Sequence, residues 1–140
     1  MSFREKSAWI VAGSMLVVYG FYFWMIAKAV AAGQTQSFHY GSLLVQAVFA
    51  LVLIQILFHI LVAVPKPAEA RAPRDERDQL IALKAIRVAF IALSLGVVLV
   101  SFSAAVYPSS FFIVNGLLFV LVLSETVRAA SQIVYYRRSA

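Results

Sequence analysis

Four long stretches of this chain are almost free of charge, and that single feature limits its folding more than any other. They run over residues 8–30, 42–64, 80–106 and 109–134. A helix rises about 1.5 Å per residue, so about 20 apolar residues cross the roughly 30 Å of hydrocarbon in a bilayer. Each stretch meets that length, and none has a proline inside it. The expected fold is all-α: a polytopic four-helix membrane bundle made from two helical hairpins, occupying residues 1–140 as a single membrane domain.

The composition agrees. Hydrophobic residues make up 63% and charged residues 13% of the 140 residues. Soluble domains average about 45–50% and about 25%. Mean hydropathy is +0.90. Four spans use most of the length, which leaves no room for a separate soluble catalytic domain. The chain has no cysteine, so disulfides, thiolate zinc sites and thiol redox chemistry are excluded. The net charge of +6 is read as topological, directed to anionic lipid headgroups and not to nucleic acid.

Punctuation divides the spans. Gly33 is placed to end the first helix, and residues 31–39 carry no ionised group. Pro65 and Pro67 stop the second helix, and an Ala- and Pro-rich stretch begins a linker over residues 65–79. Asp75, Glu76 and Asp78 stand where a new helix dipole favours anions. Tyr107-Pro108 makes the third turn. Tyr135-Tyr136-Arg137-Arg138 forms an aromatic and basic anchor at the interface. Residues 8–30 are too long for the apolar part of a cleaved leader, which spans about 7–15 residues, so they are read as a retained helix.

Positive charge sets the orientation. With four spans, Arg4, Lys6, Lys66, Arg71, Arg74, Arg77, Lys84, Arg87, Arg128, Arg137 and Arg138 fall on one side, and Lys28 alone on the other. Basic residues stay in the cytoplasm. Both termini and the linker are therefore expected there.

Spans two and four echo each other. Gln46 and Asn115, Gln55 and Ser124, and His59 and Arg128 are each 69 positions apart. This suggests an internal duplication with a pseudo-twofold axis along the membrane normal. It predicts that spans two and four occupy equivalent places.

The candidate functional residues are the polar ones inside the spans and at their cytoplasmic ends: Gln55, His59, Arg77, Asp78, Arg87, Asn115, Ser124, Glu125 and Arg128. Gln55 and His59 share a helix face, as do Ser124 and Arg128, and Glu125 can pair with Arg128 at i, i+3. A charge in hydrocarbon costs at least about 2.5–3.5 kcal/mol at mid-depth. Glu125 should therefore turn toward Arg128, Arg87 or Lys84. The favoured role is interhelical adhesion; the alternatives are a cytoplasmic ligand pocket and proton coupling through Glu125 and His59. His59, Asp75, Asp78 and Glu125 are suitable metal-ligand types but lack tight spacing, so no metal or cofactor is expected. No catalytic triad, phosphate loop or dinucleotide fingerprint is present. Gly13 and Gly20 share a face that would allow close helix approach. Tyr19, Phe21, Tyr22, Phe23 and Trp24 are read as an interfacial aromatic belt.

Several short motifs resemble a family of uncharacterised small bacterial four-span membrane proteins. They are Glu5-Lys6-Ser7-Ala8-Trp9-Ile10, His59-Ile60, Asp75-x-Arg77-Asp78-x-x-Ile81, Phe111-x-Ile113-x-Asn115, Val122-Leu123-Ser124 and Ile133-Val134-x-Tyr136-Arg137-Arg138. The resemblance extends over nearly the whole chain and implies the same architecture. It marks His59, Arg77, Asp78, Asn115 and Ser124 as the positions to test first; Glu125 and Arg128 lie outside its pattern. The family implies no activity.

The functional expectation is a non-enzymatic integral membrane protein acting through helix–helix or lipid contacts, as a homo-oligomer or with a membrane protein partner. The alternative is a small transporter or channel subunit with a polar cluster in its cytoplasmic half. A third reading, an enzyme acting on lipids, requires His59 and Asp78 within reach of one another.

Overall fold

A computed structural model describes residues 3–35, 39–64 and 75–138, and all four helices lie within them. Helix α1 spans Phe3–Ala31, α2 Tyr40–Ala63, α3 Glu76–Val106 and α4 Ser110–Arg138. There is no strand among the described residues. Residues 65–74, with Pro65, Pro67, Lys66, Arg71 and Arg74, lie outside the described residues, as does the side chain of Arg4.

Local chemistry explains the boundaries. Gly33 adopts a positive φ of 67°. Its N–H donates to Val30 O at 3.0 Å, while Gln34 N–H donates to Ala29 O at 2.9 Å. This is a Schellman termination, which needs a residue at ease in the left-handed region. Asp75 caps α3: its carboxylate accepts from the Glu76 N–H at 2.7 Å. Glu76 and Asp78 occupy the first turn, where the helix dipole favours negative charge. The chain turns at Tyr107-Pro108, because proline has no N–H with which to continue a helix.

The helices pack in the order α2–α1–α4–α3, with contacts between α1 and α2, α1 and α4, and α3 and α4. Helices α1 and α4 form the centre. In their most apolar stretches 28% and 22% of residues are buried, against 11% for α2 and 6% for α3. The flanking pair faces outward, with Phe49, Leu57, Phe90, Leu99 and Phe102 exposed. Apolar surface of this extent suits lipid and not water. All four helices are long and apolar enough to cross a membrane; at 31 residues, α3 is about 46 Å long.

Two apolar clusters hold the centre. Tyr19, Tyr22, Ile26, Ala47, Leu51 and Phe111 bring α1, α2 and α4 together in one half. Ala8, Ala12, Ala129 and Ile133 join α1 to α4 in the other. The small side chains there let the two backbones come close. A different device joins α3 to α4: a Cβ on Gly96 would collide with the Val120 side chain, and one on Gly116 would lie 3.3 Å from Val100. Gly13 and Gly20, the expected close-approach pair, face open space, with no atom of a neighbouring helix within 4 Å of where a Cβ would stand.

Spans two and four do not occupy equivalent places. Helix α4 is central and packs against both α1 and α3, whereas α2 is peripheral. The matched polar pairs diverge too: Asn115 is buried while Gln46 is exposed. The 69-residue echo therefore does not extend to the packing.

Candidate functional site

The nine polar candidates separate into several small groups. The first is a seam between α1 and α2. His59 Nδ1 lies 2.7 Å from the Gln55 carbonyl oxygen, and Nε2 lies 2.8 Å from Ser7 Oγ. A carbonyl only accepts, so Nδ1 carries the proton; in the neutral ring, Nε2 then accepts from the Ser7 hydroxyl. Gln55 Nε2 donates to Ser14 Oγ at 3.5 Å, and Ser14 Oγ donates to Val11 O at 3.1 Å. Ser7 and Ser14 are seven apart, two helical turns, and so present hydroxyls to α2 along one stripe.

The second group links α1 to α4. Tyr22, fully buried, donates from Oη to Asn115 Oδ1 at 2.7 Å. The Asn115 amide nitrogen returns a bond to Phe111 O at 2.8 Å. Tyr22 and Tyr19 thus belong to the core, whereas Phe21 and Trp24 are exposed as a belt requires. Lys28 lies 3.9 Å above the Trp24 ring, a cation–π contact suited to an interface.

Glu125 and Arg128 form the third. Arg128 donates to Glu125 Oε2 from Nε at 2.9 Å and from Nη2 at 2.7 Å. Of the three partners expected for Glu125, this is the one on its own helix; Arg87 and Lys84 are exposed on α3. Ser124 is buried and donates to Leu121 O at 2.9 Å.

At the end of the bundle that holds the N-terminus of α1 and the C-terminus of α4, three contacts tie the helices. Tyr136 Oη donates to Asp78 Oδ1 at 2.9 Å. Arg137 Nε lies 3.8 Å from Glu5 Oε1 and its guanidinium 5.5 Å from the Trp9 ring centroid. With Ser7–His59, these contacts gather the outer ends of all four helices on one side of the bundle.

His59 and Asp78 are directed to different helices, His59 toward α1 and Asp78 toward α4, from α2 and α3 on opposite flanks. The two are not bonded to one another: His59 is held by Ser7 and Gln55, and Asp78 accepts from Tyr136. No group of three or more His, Asp or Glu side chains fit to hold a metal occurs among the described residues. Beside the α1–α2 seam lies an apolar groove of about 470 Å³, bordered by Trp9, Gly13, Val17, Ile54 and Phe58. Ser14 is the one seam residue on its wall.

Sequence reading missed Ser7, Ser14, Tyr22 and Tyr136 as partners. The two serines carried a signal, their seven-residue spacing on an apolar helix. Tyr22 carried none, because it sits in a run of aromatics whose members differ only in the direction they face.

No protein-family model, curated protein or solved structure matches the chain. What the fold and its polar seams define is a largely hydrophobic four-helix bundle of the multi-span membrane class.

Proposed function

We propose that this is a multi-pass protein of the bacterial inner membrane, with both termini and the 65–74 connection in the cytoplasm. In this reading it is non-enzymatic, and acts through helix–helix and lipid contacts, assembled with copies of itself or with another membrane protein. One observation carries the proposal: every buried polar side-chain atom among the described residues has a hydrogen-bond partner within the protein. Groups held this way fix helix register and leave no buried donor or acceptor waiting for a ligand. The orientation is supported by the distribution of Lys and Arg.

The test has two parts. Reporter fusions at either terminus should both register as cytoplasmic, and cross-linking in intact membranes should capture a discrete oligomer or a defined partner. Termini on opposite faces, or a chain that stays monomeric and uncrosslinked in its native membrane, would overturn the reading.

A second reading, a small transporter or channel subunit, is favoured by the partly buried polar side chains Ser7, His59, Gln55 and Ser14, set along the α1–α2 seam from the bundle end inward. It predicts that His59→Ala or Glu125→Gln alters flux in proteoliposomes without loss of assembly. Unchanged proton and solute flux in both variants would remove it.

A further inference from the structure

We infer that the α3–α4 cleft at the end of the bundle is a binding site for an anionic phospholipid headgroup. The cleft measures about 400 Å³. Three cations line it, Arg77 and Lys84 from α3 and Arg138 from α4, with Glu76 as the one carboxylate and Leu80 and Tyr135 among its other walls. Arg77, Leu80 and Lys84 fall at i, i+3 and i+7 and so form one stripe of α3. Arg138 approaches from the last turn of α4, and the Tyr136–Asp78 bond beside it holds the two helix ends together.

Three features select this ligand. The first is charge: the cleft offers cations from two helices, and an Arg guanidinium presents several donors to a phosphate at once. Glu76 opposes an anion but is outnumbered. The second is depth. Lys84 lies two turns beyond Arg77 along α3, so the cations descend from the helix end toward the apolar span, as a headgroup and its glycerol do. The third is continuity. Below the cleft, on the same stripe, α3 presents Val88, Ile91, Leu95 and Val98 to the outside, an apolar track along which an acyl chain can lie. A free phosphate would use the cations and leave that track empty. Basic pockets between spanning helices on the cytoplasmic side are suited to acidic lipid headgroups.

The inference rests on the reading that the chain works in contact with lipid, and adds which lipid and where. It is tested with the full chain in nanodiscs of phosphatidylcholine, titrated with spin-labelled phosphatidylglycerol or spin-labelled phosphatidylcholine. Wild type should immobilise the phosphatidylglycerol probe preferentially. Each basic residue at a membrane surface is worth about fivefold in affinity for an anionic lipid. Arg77→Gln with Arg138→Gln should therefore remove most of the preference. Lys6→Gln with Lys28→Gln changes net charge equally and should leave it in place. The milder Lys84→Gln should lower the preference by about fivefold. Equal retention of both lipids by wild type overturns the site, as does an equal loss in the Lys6 and Lys28 control. Displacement of the lipid by inorganic phosphate also overturns it, in favour of a soluble anion. None of these outcomes alters the topology or the cross-linking pattern, by which the broader functional reading stands or falls.

Discussion

Tyr22 and Asn115, 93 positions apart, are joined by a 2.7 Å hydrogen bond across the α1–α4 interface. The phenol donates, the amide oxygen accepts, and the amide nitrogen is occupied by the Phe111 carbonyl. Both side chains are buried, so neither can turn to water if the other is lost. Tyr22→Phe should destabilise the bundle by about 0.6–1.7 kcal/mol, the span from the average to the largest coupling found for interhelical hydrogen bonds in a membrane protein. A double-mutant cycle with Asn115→Leu, followed by unfolding in mixed micelles, measures the coupling. Strictly additive effects would show that the bond contributes nothing.

Gly96 should be intolerant of any side chain. Its Cβ would enter the space of Val120, and overpacking of this kind costs about 1–3 kcal/mol. Gly96→Ala should lower the thermal midpoint in detergent, and Val120→Ala introduced with it should restore part of the loss. Gly13→Ala is the contrast: that position faces open space, so the change should be neutral or stabilising, by up to about 1 kcal/mol from helix propensity. Equal loss at both glycines would argue against the α3–α4 packing.

His59 anchors the end of α2. That helix is peripheral, and in this half the hydrogen bonds through Ser7 and Gln55 join it to α1. His59→Ala should speed amide exchange over residues 55–63 by about fivefold, corresponding to about 1 kcal/mol of lost hydrogen bonding. Exchange should stay unchanged in α3. Uniform acceleration across all four helices would mean that the residue supports global stability and not this seam.

Glu125 and Arg128 are half-buried, with side-chain exposures of 35% and 30%. Glu125→Gln leaves the guanidinium without its counter-charge, so it should lower the folded yield more than the paired change Glu125→Gln with Arg128→Gln. The loss should stay below the about 3–5 kcal/mol of a fully buried pair, because about a third of each side chain lies outside the protein interior. A double variant as unstable as the single one would assign the stability to Arg128 packing alone.

The sequence by itself determined that the chain forms four helices long and apolar enough to cross a membrane, the Gly33 and Pro108 turns, and the Glu125–Arg128 pair. Each depends on local properties: apolar length, backbone permissiveness, or spacing along one helix. Only the tertiary structure decided that α1 and α4 are central and α2 and α3 flank them. It also separated Asn115 from Gln46, and Tyr22 from Trp24. The physical reason is that lipid and a helix neighbour are equally apolar. Hydropathy therefore records that Leu57 and Leu51 both leave water, but not that one meets lipid and the other α1. What distinguishes them is helix rotation, set by small residues in contact and by hydrogen bonds between side chains far apart in the chain.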